Sequence, residues 1–328
     1  MNFTAKVKTE LAETMPNARH CKIAELAGIL AVTARKEPET GEMTVSTENR
    51  LLTDKTEKLI KKIFSVDISG RLNYDRKRAG KEILSICFTK SETEDILKAV
   101  SARLRSGEDG LQRITVGPQV YRLSCCKRAF IRGAFLGCGS LTDPEKDYHL
   151  EYSVQDEETA SCIISLMSDF DIEARATVRK KQHVVYVKDC DRIVDLLNVM
   201  EAHVLLMELE NIRILKDVRN RVNRRVNCET ANIAKAVTAA AKQCSDIRLV
   251  DETVGFDKID PGLAQTAKIR LENPDATLRE LVELHDGRVS KSGINHRLQK
   301  LSEIAAKLRN GSDAAKEDWG GKRPANGG

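Results

Sequence analysis

No stretch of this 328-residue chain approaches the ~20 consecutive apolar residues that a bilayer-spanning helix needs, so no membrane partner is expected. The opening Met1 to Lys6 lacks the basic-then-apolar layout of a secretory signal, which points to a cytoplasmic protein. The nine cysteines include no Cys-x-x-Cys pair, and an odd number of scattered thiols suits a reducing compartment better than a disulfide scaffold. Charge of either sign is not in large excess. With 54 Lys and Arg against 49 Asp and Glu, the net charge is +5, so the total argues for no polyanionic partner and the distribution must decide. Apolar material is ample: 41% hydrophobic residues in a chain of this length can build two domains, which excludes disorder throughout.

The positive charge is clustered. Arg71–Lys81 holds five cationic side chains and one acid, while Arg213–Arg225 and Arg288–Arg309 each hold six cations and one acid. The remainder of the chain is net negative, so positive potential is concentrated locally, as a phosphate-binding protein requires.

The sequence also repeats itself. Cys21-Lys22-Ile23-Ala24-Glu25-Leu26-Ala27-Gly28 is answered by Cys126-Lys127-Arg128-Ala129-Phe130-Ile131-Arg132-Gly133, with Cys, Lys, Ala and Gly in register. The alternating strands Glu42–Ser46 and His149–Val154 follow, and then apolar helical stripes through Leu59, Ile60, Ile63 and Phe64, and through Ile163, Ile164, Met167 and Phe170. Hairpins come next, Asp67–Phe88 around Lys77-Arg78-Ala79-Gly80 and Glu173–Val187 around Lys180-Lys181-Gln182. Short helices at Glu92–Leu104 and Cys190–Leu197 complete each half as αββαββα. Glycine inside a helix costs ~1 kcal/mol relative to alanine. Gly28 and Gly133 therefore imply that the two opening helices touch backbone to backbone at a pseudo-twofold axis, with a sheet on either side forming a saddle.

Leu26-Ala27-Gly28-Ile29-Leu30 and Ile131-Arg132-Gly133-Ala134-Phe135-Leu136-Gly137-Cys138-Gly139 resemble the paired helices of LAGLIDADG homing endonucleases. In that family an acidic residue near the end of each helix holds a divalent cation. The resemblance places Ala31 and Thr33, and Leu136 and Cys138, at those positions, and none offers a carboxylate to a hard cation. Asp143 and Glu145 follow in a turn-like stretch and read as solvated turn residues. The duplicated domain is thus expected to keep the shape without the cleavage chemistry.

Beyond it, Glu201–Arg225 reads as a long amphipathic connector and Thr230–Cys244 as a second helix. A three-helix domain then follows over Pro261–Leu271, Leu278–His285 and Lys291–Leu308, separated by Asn273-Pro274 and Asp286-Gly287. Thr277 with Glu280 makes a capping box and Ser290 caps the third helix, giving a helix-turn-helix. Ile294, Leu298 and Leu301 share one face of that helix and must point inward. Ser292, Asn295, His296 and Gln299 then project outward, with Lys300 on a flank and Lys291 and Arg297 nearer the core boundary. Asn and Gln pair with adenine edges, and flanking cations suit phosphates. The expected DNA-contacting residues are Thr277, Arg288, Ser290, Lys291, Ser292, Asn295, His296, Arg297, Gln299 and Lys300.

Three separated blocks are similar to the WhiA family of sporulation and cell-division regulators: Cys125–Leu136, Val222-Asn223-Arg224-Arg225-Val226-Asn227-Cys228-Glu229-Thr230-Ala231-Asn232, and Val289–Leu298. The resemblance implies an α+β protein with a duplicated αββαββα LAGLIDADG-like saddle over residues 1–200, in halves of about 1–105 and 106–200. It implies a helical linker over 201–255 and a helix-turn-helix domain over 256–309. The Gly-rich tail, 310–328, should be disordered. Implied with it are a nucleoid-associated, non-enzymatic regulator, double-stranded DNA as partner, and other regulatory or division proteins as further partners. The rival readings are an active metal-dependent endonuclease and a division scaffold. No nucleophile, base and orienting group converge, and no catalytic residue, metal or cofactor is expected. Cys125-Cys126 reads as packed thiols, because adjacent helical cysteines diverge by about 100° and no nearby His or second Cys pair completes a site. The asparagines at 220, 223, 227 and 232 suit either a hinge or a DNA contact.

Overall fold

The computed structural model describes residues 2–76, 82–107 and 110–311. The tip Lys77-Arg78-Ala79-Gly80 and nearly all of the tail expected to be disordered lie outside them. The chain divides into two compact units, Met1–Val218 and Arg219–Gly328.

Unit 1 is organised around two helices, α2 (Arg19–Thr33) and α5 (Ser124–Cys138), which follow α1 (Phe3–Glu13) in the chain. A side chain at Gly28 would collide with the carbonyl of Phe130, and one at Gly133 with the carbonyl of Glu25. The glycine positions are thus where the two backbones meet. α1, which the sequence reading omitted, buries Phe3, Val7 and Leu11 at a four-residue spacing.

The second half has the expected αββαββα order: α5, β7 (Gly139–Leu141), β8 (Leu150–Val154), α6 (Glu157–Ser168), β9 (Arg175–Arg179), β10 (Gln182–Val187) and α7 (Cys190–Met200). Its strands form a sheet of order β7-β8-β10-β9. The β9–β10 turn holds Lys180 and Lys181 at φ 48° and 67°, the two left-handed positions that match the twist of a two-residue hairpin.

The first half repeats that order and then extends it. After α2 come β1 (Ala34–Lys36), β2 (Met43–Thr47), α3 (Arg50–Phe64), β3 (Leu72–Arg76), β4 (Glu82–Phe88) and α4 (Lys90–Ala99). The helix expected over Glu92–Leu104 starts earlier, at a Thr89/Glu92 capping box, and stops before Ser101, whose φ of 48° turns the chain. Ala102–Ser106 is instead strand β5, paired with β6 (Gln112–Val116), and β6 pairs with β1 to give the order β3-β4-β2-β1-β6-β5. Sequence periodicity alone does not reveal a strand whose partner lies beyond a loop.

The connector is one helix, α8 (His203–Thr253, 51 residues), in place of the two expected. No glycine or proline interrupts it, and it runs unbroken through the asparagines at 220–232. Leu205 and Leu209 enter the core of unit 1, residues 219–239 are exposed throughout, and Ile247 and Val250 enter the core of unit 2.

In unit 2, α9 (Pro261–Glu272), α10 (Leu278–Leu284) and α11 (Lys291–Arg309) bury Leu263, Ala267, Leu281, Ile294, Leu298, Leu301 and Ile304 beside those α8 residues.

Candidate nucleic-acid interface

Local chemistry fixes each end of the helix-turn-helix. The Asp260 carboxylate accepts from the N–H groups of Gly262 and Leu263 at 2.8 and 3.1 Å, starting α9 with Pro261 in its first turn. Thr277 Oγ1 accepts from Glu280 N while the Glu280 carboxylate accepts from Thr277 N, the reciprocal cap foreseen for α10. That contact holds the Glu280 carboxyl below its usual range. The turn into α11 passes through Asp286 and Gly287 at φ 55° and 67°, and Ser290 Oγ accepts from Gly293 N to start the last helix.

This frame sets the phase of α11. Ile294, Leu298 and Leu301 are at most 1% exposed, as expected. Ser292, His296 and Gln299 are exposed and Asn295 is half-buried beside them, so the predicted outward face exists. Arg288, Lys291 and Lys300 are also exposed, and among the described residues they form no ion pair. Lys291 is thus further from the core than its phase suggested.

Arg297 behaves differently. Its Nη1 donates to the Gly262 carbonyl and to Thr266 Oγ1, both at 3.3 Å, which turns the guanidinium onto α9. Thr277 and Ser290 likewise spend their hydroxyls on caps. The ten predicted residues therefore divide into an outward set and a positioning set of Thr277, Ser290 and Arg297.

Unit 1 presents its own cationic feature, one that no basic run in the sequence reveals. Arg35, Arg113 and Arg105 occupy paired positions on β1, β6 and β5, so cross-strand registry gathers three guanidinium groups from distant segments. Arg113 Nε donates to Gln155 at 3.2 Å, and Arg105 pairs with Glu158. The basic run on α8 is partly committed elsewhere: Arg213 pairs with Asp191 at 2.6 Å, and Lys216 lies over the Tyr148 ring and donates to the Pro144 carbonyl.

The positions that would hold a divalent cation in a LAGLIDADG nuclease do not fit one. Ala31 and Leu136 are buried and apolar, Thr33 Oγ1 donates to the Ile29 carbonyl at 2.7 Å, and Cys138 donates to the Ala134 carbonyl. Burial pushes the Cys138 thiol up to about 12, so it offers no thiolate at that position. Asp143 accepts from Glu145 N at 3.0 Å within an exposed turn.

The opposite end of the same helices corrects the sequence reading. Cys125 and Cys126 are joined by His20 and Cys21, and the ligand atoms of all four lie within 4.8 Å of one another. The two pairs are a hundred residues apart, and only the pairing of α2 with α5 brings them together.

Residues 127–219 match the WhiA LAGLIDADG-like domain, and residues 222–305 match the WhiA C-terminal HTH domain. The probable cell division protein WhiA of Lachnoclostridium phytofermentans is 43% identical over 314 residues, covering 94% of this chain and 100% of that protein. Its counterpart in Alkaliphilus oremlandii is 42% identical over 318 residues, covering 95% and 99%. The crystal structure of full-length WhiA from Thermatoga maritima covers 94% of this chain and 99% of that one, with 24% identity and a TM-score of 0.58, a likeness of fold.

Proposed function

The chain belongs to the WhiA family, and from that premise we propose that it is a DNA-binding protein of bacterial cell division whose helix-turn-helix reads sequence. In this reading it acts as a transcription regulator, at cell division, chromosome segregation or sporulation, without nuclease activity, and works in the cytoplasm at the nucleoid.

One observation carries the proposal. The outward face of α11 is polar and uncharged at its centre, with Asn295 and Gln299 a helical turn apart, and is flanked by the exposed cations Arg288, Lys291 and Lys300. Bidentate amide groups can distinguish base edges in a major groove, and cations at the margins hold phosphates in register. The row Arg35–Arg113–Arg105 supports a sequence-independent phosphate contact by unit 1. Exposed Val222, Val226, Ile233 and Val237 on α8 favour regulatory or division proteins as additional partners.

Fluorescence anisotropy on short duplexes tests the reading. A reader of sequence loses affinity steeply as salt rises yet keeps its preference among duplexes. Equal affinity for all duplexes at every salt concentration would refute it. The nuclease rival keeps one argument, its fold, and predicts strand breaks when pure protein meets supercoiled plasmid with magnesium or manganese.

A further inference from the structure

The duplication places two potential metal ligands at the start of each seam helix. α2 begins at Arg19 and α5 at Ser124, so His20 and Cys125 are second residues, and Cys21 and Cys126 third residues, of helices related by the internal pseudo-symmetry. Their convergence follows from the same helix pairing that brings Gly28 and Gly133 into contact.

The geometry is close to that of a tetrahedral site. His20 Nδ1 lies 3.1 Å from Cys126 Sγ and 3.3 Å from Cys21 Sγ, and no pair of the four ligand atoms exceeds 4.8 Å. Around a zinc ion with bonds of ~2.0–2.3 Å, tetrahedral ligand atoms sit roughly 3.5–3.8 Å apart. Small side-chain rotations bridge the difference. Cys21 and Cys126 are buried while His20 and Cys125 are exposed, so the cluster is supported from beneath and open to an entering ion.

The two helix starts add a local pull toward thiolates. Neither helix has a side-chain N-cap, Ala18 and Leu123 standing at the cap positions, so both present first-turn N–H groups and the positive ends of their dipoles to the cluster.

We propose that His20, Cys21, Cys125 and Cys126 bind one thiophilic, tetrahedral metal ion of the zinc class that clips the two halves of the duplicated domain together. Three thiolates and an imidazole make a closed Cys₃His set, the donor composition of a structural site. The hard, oxygen-seeking cations of strand cleavage are disfavoured here. The ion would belong to the architecture of unit 1, at the end of the helices away from Thr33 and Cys138.

Cobalt(II) is the probe. Full-length protein, fully reduced and stripped with chelator, should bind one equivalent, with the intense visible absorption of tetrahedral cobalt and a thiolate charge-transfer band, and zinc should abolish both. At a free zinc concentration of ~100 Kd, the thermal midpoint of unit 1 should rise by roughly 5–10 °C. The double variant His20→Ala, Cys125→Ser alters only exposed ligands and should fold by far-UV circular dichroism. Its affinity should fall by ~100-fold or more, and its zinc-dependent thermal shift should vanish. Cys87→Ser and Cys228→Ser, exposed cysteines elsewhere, should change nothing. Absence of the tetrahedral spectrum in reduced wild-type protein overturns the proposal. So does a spectrum unchanged in the double variant, or one lost in the Cys87 or Cys228 variant.

Discussion

Arg132 of α5 lies against Glu25 of α2, Nε to Oε1 at 3.0 Å, with both side chains at most 2% exposed. Glu25 also receives Lys55 Nζ at 3.0 Å, and Arg132 reaches Glu201 at 2.6 Å, so two cations and two carboxylates neutralise one another. Burial opposes the charge on Arg132, but Glu25 and Glu201 outweigh it and hold its pKa up. Burial wins at Lys55, whose pKa falls although Glu25 pulls the other way. Removing Glu25 leaves two buried cations on a shared, empty position. Glu25→Ala should therefore destabilise unit 1 by ~3–5 kcal/mol, the cost of an uncompensated buried charge. Urea unfolding of the variant checks this, and a loss below ~1 kcal/mol would mean that water reaches the cluster.

The glycine contacts of the seam make a sharper prediction. A methyl at Gly133 meets backbone, the Glu25 carbonyl, and backbone cannot rotate away as a side chain can. Helix propensity alone would make Gly133→Ala stabilising by ~1 kcal/mol. The contact reverses that sign, and a loss of ~1–3 kcal/mol or more is expected from forced separation of the helices. A stabilised Gly133→Ala variant in thermal unfolding would show that the helices pack farther apart.

These contacts also mark what could be read from sequence. Gly28 and Gly133 announced the helix pairing because glycine within a helix is costly without a close neighbour, and the 3.6-residue period of Ile294, Leu298 and Leu301 set the face of α11. What escaped was non-local. β5 and β6 have short, mixed patterns that become strands only through pairing with each other and with β1. Arg297 sits at the angular margin of α11, where the helical wheel cannot say whether a long side chain extends to solvent or folds back onto Gly262. His20 and Cys126 are 106 positions apart, too far for any spacing rule to join them.

His285 gives unit 2 a pH dependence. The ring is 3% exposed, its Nε2 has no hydrogen-bond partner among the described residues, and burial followed by the charge of Arg297 lowers its pKa, with Asp286 opposing. Above about pH 6.5 the ring is neutral in both folded and unfolded states, so it contributes no pH dependence there. As pH falls below that value, the unfolded chain takes up a proton that the folded state resists, and stability declines until the folded pKa is passed. His285→Phe, which fills similar space without an orphaned nitrogen, should flatten this slope between pH 7.5 and roughly 5.5, before most carboxylates titrate. Denaturant midpoints across that range supply the measurement, and identical slopes for both proteins would sink the prediction.

The division of α11 into outward and positioning residues can be tested by separating affinity, specificity and stability. Asn295→Ala or Gln299→Ala should erode discrimination among duplexes by ~1–3 kcal/mol if a bidentate base contact is lost, and leave the salt dependence in place. Lys300→Ala should weaken binding to every duplex and reduce the salt slope by about one, since a phosphate contact carries no sequence information. Arg297→Ala should do neither directly. Its guanidinium holds α11 to Gly262 and Thr266 of α9, so its loss should lower the thermal midpoint of unit 2, with the salt slope of the remaining folded protein unchanged. If Arg297→Ala instead flattens the salt slope at unaltered stability, the side chain leaves α9 when DNA binds and belongs with Lys300. Anisotropy titrations at several salt concentrations, paired with thermal unfolding of the same variants, distinguish the two arrangements because only one couples Arg297 to the stability of the domain.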